Sequence, residues 1–164
     1  MSDVWVVNAS PLIVLAKAGL EDLLTELSGE LIVPQAVAEE VLAGPKSDRG
    51  RELIESGWGR RILPERIPDS VLEWGLGAGE TAVITVGLQT SDCTVALDDG
   101  LGRACARSHG LSLVGTLGII LQAKRRGLVR SAAESLAALR SHGLHLDSET
   151  IRASLRSVGE EWSF

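Results

Sequence analysis

Val4-Trp5-Val6-Val7-Asn8-Ala9-Ser10-Pro11-Leu12-Ile13 runs from an apolar tetrapeptide through an amide into a helix start. Val4–Val7 is continuous and apolar, the pattern of a short strand buried on both faces, as in a parallel sheet. Ser10-Pro11 reads as an N-cap with proline at the first helical position. The helix is expected to run to about Ala18 and stop at Gly19. Asn8 is the polar residue left where the strand ends.

The alternation continues outward from this stretch. Leu20–Leu27 places Leu20, Leu23, Leu24 and Leu27 on one helical stripe. Leu31-Ile32-Val33 is a short strand, and Pro34 opens a helix that ends at Gly44-Pro45. Ser47–Ser56 reads as a helix, Arg60–Leu63 as a strand and Asp69–Trp74 as a short helical turn. The glycines at 75, 77 and 79 read as a flexible loop before Glu80. Beyond it the expected elements are helix 80–88, strand 94–97, helix 99–108, strand 112–114, and helices 116–126, 131–142 and 148–158. Gly127-Leu128-Val129 is a turn between two of these helices. Strands separated by helices of this length imply βαβ units and a parallel sheet. The 164 residues suffice for one domain with its own core. The reading is therefore a single domain over 1–164, with a core of about 4–130 and a C-terminal helical segment of about 131–164 packed on it.

Composition narrows the function. No apolar run approaches the length of a bilayer span, and Met1-Ser2-Asp3 lacks the basic start of a secretory signal, so the expected location is cytoplasmic. Cys93 and Cys105 fit no zinc spacing and read as core thiols. The net charge of −6 argues against bulk binding to nucleic acid, but residues 100–133 contain no Asp or Glu. That stretch carries Arg103, Arg107, Lys124, Arg125, Arg126 and Arg130. It is either a basic patch beside an acidic pocket or a solvated helix face with cations near its C-terminus. Gly75-Leu76-Gly77-Ala78-Gly79-Glu80 fails the dinucleotide fingerprint, because Glu80 stands where the third glycine belongs. His109, His142 and His145 form no helical pair and read as surface or cap residues. With no tyrosine and one phenylalanine, stacking platforms for single strands are scarce. The four tryptophans read as core anchors.

The carboxylates carry the chemistry. Asp98 and Asp99 directly follow a buried-type strand, and Glu40 and Glu80 lie in or at the start of helices. Two like charges about 4 Å apart repel by roughly 4 kcal/mol at an effective dielectric near 20. Gathered in one pocket, these groups would push at least one pKa upward. A divalent cation removes the conflict, and oxygen ligands suit Mg²⁺ or Mn²⁺. Taken singly, Asp99 is accounted for as a helix cap and Glu39 or Glu40 as part of a wet helix face.

Five stretches together resemble the PIN domain, the fold of VapC-type toxin ribonucleases. More narrowly they resemble a PIN-like branch described only as nucleic-acid-binding. They are Val6-Val7-Asn8-Ala9-Ser10-Pro11-Leu12-Ile13, Val33-Pro34 through Glu39-Glu40-Val41, Gly77-Ala78-Gly79-Glu80-Thr81-Ala82, Ala96-Leu97-Asp98-Asp99 through Arg103, and Val114-Gly115-Thr116 through Lys124-Arg125. They follow the family's order from about residue 4 to 130. The resemblance implies an α/β fold, a three-layer α/β/α sandwich with a central, mainly parallel sheet. It places the family's four acidic positions on Asn8, Glu40, Glu80 and Asp98 as the catalytic set. Asp99 joins these four as metal ligands for Mg²⁺ or Mn²⁺. Asn8 departs from the family's aspartate; its amide oxygen can still ligate a metal, but more weakly. Ser10, Thr116, Arg103 and Lys124 are implied to bind substrate. The implied activity is metal-dependent hydrolysis of RNA phosphodiesters by a toxin of a toxin–antitoxin pair. The implied partners are an antitoxin protein and a second copy in a homodimer, with the apolar surface of helices 11–18 and 20–27 as the dimer face. The alternative is a degenerate PIN domain that binds nucleic acid or protein and cleaves nothing.

Overall fold

The computed structural model describes residues 3–45 and 48–164. Strands β1 (Val4–Val7), β2 (Glu30–Pro34), β3 (Arg60–Ile62), β4 (Cys93–Ala96) and β5 (Ser112–Val114) form one sheet in the order β3-β2-β1-β4-β5. Every neighbouring pair is parallel, with Val7 opposite Ala96 at the end of the central pair. The helices are α1 (Ala9–Lys17), α2 (Asp22–Leu27), α3 (Gln35–Leu42), α4 (Arg49–Glu55), α5 (Asp69–Leu72), α6 (Ala78–Gln89), α7 (Gly100–Ser108), α8 (Thr116–Arg125), α9 (Ala132–Ser141) and α10 (Ser148–Arg156). They enclose the sheet in a three-layer α/β/α arrangement. One group packs α3 against α4 and α6, and the other packs α8 against α2, α9 and α10.

This strand order positions the site. The chain lays strands outward from β1 to β3, then returns to place β4 on the other side of β1. In open parallel sheets, ligands bind beyond the carboxyl ends of the strands where the order reverses. Here that point lies between β1 and β4. Asn8 immediately follows β1, its backbone N–H donating to the Ala96 carbonyl at 2.9 Å. Asp98 comes two residues after β4.

The continuous apolar run is buried as its pattern requires: Trp5, Val6 and Val7 have no exposed surface. Helix α1 begins two residues earlier than the Ser10-Pro11 reading. Asn8 is its N-cap, and Pro11 falls at the third helical position. Proline at the third position forfeits no intrahelical bond, because the first four N–H groups of a helix lack internal partners anyway. Gly19, at φ +71, ends the helix in a left-handed turn that closes with the Leu20 N–H on the Leu15 carbonyl at 2.8 Å. The stripe predicted from Leu20 starts as α2 at Asp22. Helix α4 covers the expected segment from Arg49, and the Ser47 start lies outside the described residues.

Two expectations need correcting. Gly79 is not part of a loop: α6 starts at Ala78 and takes Gly79 into its first turn. The proposed dimer face is already used inside the chain. Leu12, Leu15, Leu23, Leu24 and Leu27 are buried against the chain's own core, leaving Ile13 and Leu20 only partly covered. Cys93 and Cys105 are free thiols in the interior. Burial pushes both up in pKa, with Asp92 adding to the effect at Cys93. Trp5 is a core anchor; the other three tryptophans pack against the core while partly exposed. Among the described residues no helix is long and apolar enough to cross a membrane.

Candidate active site

A cavity of about 980 Å³ opens beyond the ends of β1 and β4, and Asn8, Glu40, Glu80, Asp98 and Asp99 all line it. They arrive from four places: Asn8 from the end of β1, Glu40 from α3, Glu80 from the first turn of α6, and the two aspartates from the loop after β4. Helix α3 packs on α6, and α6 packs on β1, so three of the four elements are in direct contact.

Asn8 is the structural centre of the cluster. It is 1% exposed and caps α1 only with its backbone; the side chain makes no capping bond. The amide Nδ2 donates instead to Glu80 Oε1 at 3.3 Å. Its Oδ1 is buried and accepts nothing from the described residues. A buried acceptor left without a donor costs about 1–3 kcal/mol. Gly79 faces this oxygen. A Cβ added at Gly79 would lie 3.1 Å from Asn8 Oδ1 and 3.5 and 3.7 Å from the two Glu40 carboxylate oxygens. The missing side chain thus leaves a methyl-sized space bounded by an amide oxygen and a carboxylate. Burial raises the Glu40 pKa, and repulsion from Glu80 raises it further. The Glu80 carboxylate also reaches Asn8, through its Nδ2.

Asp98 is held differently. Its Oδ1 accepts from the Thr116 backbone N–H at 2.7 Å and its Oδ2 from the Thr116 hydroxyl at 2.5 Å. Thr116 is fully buried and opens α8, so a charge sits at a helix N-terminus that favours it. Asp99 Oδ2 accepts from the Gly102 N–H at 2.7 Å and caps α7. Its carboxylate has that structural use as well as its place at the cavity.

Among the described residues no three His, Cys, Asp or Glu side chains are close enough to hold a metal by themselves. An orphaned amide oxygen facing the Glu40 carboxylate across the small space at Gly79, with Glu80 close enough to repel Glu40, does fit a hard cation. Such an ion takes oxygen ligands and keeps several waters.

The predicted substrate contacts divide. Ser10 is exposed at the cavity mouth. Thr116 reaches the cavity only through Asp98. Arg103 lines it, donating from Nη1 to the Leu97 carbonyl at 3.0 Å. Burial and the neighbouring Arg107 lower the Arg103 pKa, while Asp98 opposes them. Lys124 lies elsewhere. Its Nζ donates to the Arg130 carbonyl at 2.7 Å and pairs with Glu160 Oε2 at 3.1 Å. Arg126 is tied to the Leu27 carbonyl and Arg125 to the Ser157 hydroxyl. The reason is geometric. The cavity is at the N-terminal end of the ten-residue α8, and these cations are at its far end, roughly 12–15 Å away at 1.5 Å per residue.

Sequence reasoning missed one wall of the cavity. His142, Gly143, Leu144, His145 and Leu146, in the turn between α9 and α10, line it with Thr150. The one local signal was the short alternation Leu144-His145-Leu146 after a glycine.

A family model described as a PIN domain matches residues 4–160. No curated protein matches the chain.

Proposed function

Given that the chain belongs to the PIN-domain family, whose members are generally nucleases that use divalent metal ions, we propose that it is a metal-dependent ribonuclease. The observation carrying this reading is the buried Asn8 Oδ1 without a donor, facing Glu40 across the space left by Gly79. Asn8, Glu40 and Glu80 would hold Mg²⁺ or Mn²⁺, with Asp98 and Asp99 lining the same cavity. A bound cation supplies an activated water and stabilises charge building on a phosphoryl oxygen. The protein's own groups do the rest. Thr116 fixes the Asp98 carboxylate through both oxygens, which holds it in place at the cavity. Ser10 offers a hydroxyl at the mouth, and Arg103 a guanidinium on the wall to position a phosphate. Residues 1–164 act in this reading as one domain, the segment from 131 onward completing the cavity. Within it, the chain is a toxin of a toxin–antitoxin pair, paired with itself and silenced by an antitoxin protein.

The second reading, a PIN domain that binds nucleic acid or protein without cleaving, is favoured by one contact. The Asn8 Nδ2 bond to Glu80 gives that carboxylate a donor without any ion. Incubation of the purified chain with RNA and Mn²⁺ separates the two. The nuclease reading expects cleavage that EDTA stops and that Asp98→Asn reduces at least 100-fold. Intact RNA with wild-type protein, or equal cleavage by Asp98→Asn, refutes it.

A further inference from the structure

We propose that the apolar part of the cavity, formed by the α9–α10 turn with the start of α8, is a nucleobase subsite for the nucleotide beside the bond that is cut. This rests on the nuclease reading and names what that site would select. The cavity's volume of about 980 Å³ is at the upper end of the ~300–1,000 Å³ typical of small-molecule pockets. An ion and one phosphate need only the acidic end. The remaining wall is hydrocarbon: Ile13 and Val14 of α1, Leu113, Leu117, Leu144 and Leu146. Such a surface offers a phosphate nothing and suits the face of a flat ring.

His142 and His145 are the aromatic rings among the residues lining the cavity. Both are exposed, and neither ring makes a hydrogen bond or ion pair within the described protein. His109 behaves differently, its ring bonding the Ser70 hydroxyl and the Cys105 carbonyl. Proteins read single-stranded RNA by stacking splayed bases on aromatic rings, histidine included, and by bonding their edges. The two imidazoles supply both capacities.

The turn that presents them is fixed before any ligand binds. The His142 and Leu144 N–H groups both bond the Leu139 carbonyl, at 3.1 and 3.0 Å. Asp147 caps α10, accepting from the Thr150 N–H at 2.7 Å and hydroxyl at 2.9 Å. Leu139 and Ile151 anchor the flanking helices in the core. A preorganised wall loses little entropy on binding. An apolar peptide side chain is the competing occupant. It would cover the leucines but leave both imidazoles unused.

The test titrates the full ¹⁵N-labelled chain, without metal, with four ribonucleosides, ribose 5-phosphate and N-acetylleucinamide. At least one nucleoside is expected to shift the amides of 113–117 and 142–146, with a Kd at least ten-fold tighter than either control. His142→Ala with His145→Ala is expected to weaken that nucleoside five-fold or more. Nucleosides that perturb neither segment, or that bind no tighter than the sugar phosphate or the leucine amide, overturn the subsite. The wild-type comparison decides this even where the double variant does not fold. Because the titration needs no metal and no cleavage, its failure leaves the RNA assay to judge the nuclease reading. Nucleoside binding without RNA cleavage would retain the subsite and remove the catalysis.

Discussion

Gly79→Ala separates a site that holds an ion from a cluster that merely packs. The substitution adds one carbon in the first turn of α6, at a backbone conformation that any residue adopts. Helix propensity favours alanine by up to about 1 kcal/mol. Against this, the new Cβ would stand 3.1 Å from Asn8 Oδ1, a few tenths of an ångström too close, and 3.5 Å from the nearer Glu40 oxygen, an ordinary contact. The two effects are similar in size, so the melting temperature should move by no more than about 4 °C. The effect on an ion is far larger. Mg²⁺ and Mn²⁺ need oxygens about 2.1 Å away, and a methyl group between Asn8 and Glu40 keeps both from converging. Losing one charge-assisted interaction of about 1.5–3 kcal/mol corresponds to roughly 10- to 150-fold in affinity. The assay is thermal unfolding with increasing Mn²⁺, alongside RNA cleavage at limiting Mn²⁺. The variant should fold like the wild type, lose the Mn²⁺-dependent rise in melting temperature and cleave at least ten-fold more slowly. A variant that keeps the wild-type Mn²⁺ response would refute the assignment of the space beside Gly79 to a cation.

Asn8→Asp exchanges the bond to Glu80 for repulsion. It should lower the metal-free melting temperature by about 2–6 °C while enlarging the rise produced by Mn²⁺; an increment no larger than wild type counts against Asn8 as a ligand. Thr116→Val removes a buried hydroxyl from the Asp98 carboxylate and should cost about 2 kcal/mol in urea unfolding, with cleavage falling at least ten-fold. Thr116→Ser should restore both, and a valine variant as stable and active as wild type would show that Asp98 needs no such support. Burial pushes the Glu160 pKa up, but the N–H groups of Ala133 and Ala132, the Lys124 ammonium and the Ser131 hydroxyl outweigh it and hold it at about 2. Its ionised form therefore favours folding, in full above pH 4.5 and progressively less as the pH falls toward 2. Glu160→Gln should cost about 1–3 kcal/mol at pH 7, and the gap from wild type should narrow on acidification; a gap that is constant between pH 7 and 3 would exclude the ionic contribution.

What the sequence made legible was whatever depends on pattern and order. Val4–Val7 had to be a doubly buried strand, because nothing polar interrupts it, and a strand of that kind places the next residue at the sheet's ligand-binding edge. The chain order of strands and helices then brought positions 40, 80 and 98 to the same edge as Asn8. Three kinds of feature were not legible. Gly79 resembled its loop neighbours Gly75 and Gly77, because spacing cannot reveal which glycine an oxygen faces. Lys124 read as a free cation because its partner, Glu160, comes from a distant segment that bonds the start of α9. The leucines of α1 and α2 read as an interface because an amphipathic stripe carries no mark of whether its own chain or another covers it. The α9–α10 turn has too few residues for any periodicity, and its place at the cavity is a tertiary fact.

The amide at position 8 poses the question of which guest the site is built for. Its Nδ2 relieves Glu80 and its Oδ1 is left without a donor, so the residue alone is compatible with a water as readily as with an ion. A water bridging Asn8 and Glu40 would satisfy the orphaned oxygen by donating a hydrogen to it. It would do nothing for the second conflict. Glu40 is half of a carboxylate pair whose repulsion, together with burial, raises its pKa, and a neutral guest leaves that repulsion in place. In the nuclease reading, a bound cation would answer both the amide oxygen and the carboxylates at once. The proposed preference for a cation over water therefore rests on Glu40 rather than on Asn8. The amide lowers the negative charge the cluster carries, and in the nuclease reading the remaining carboxylates are what would draw a cation.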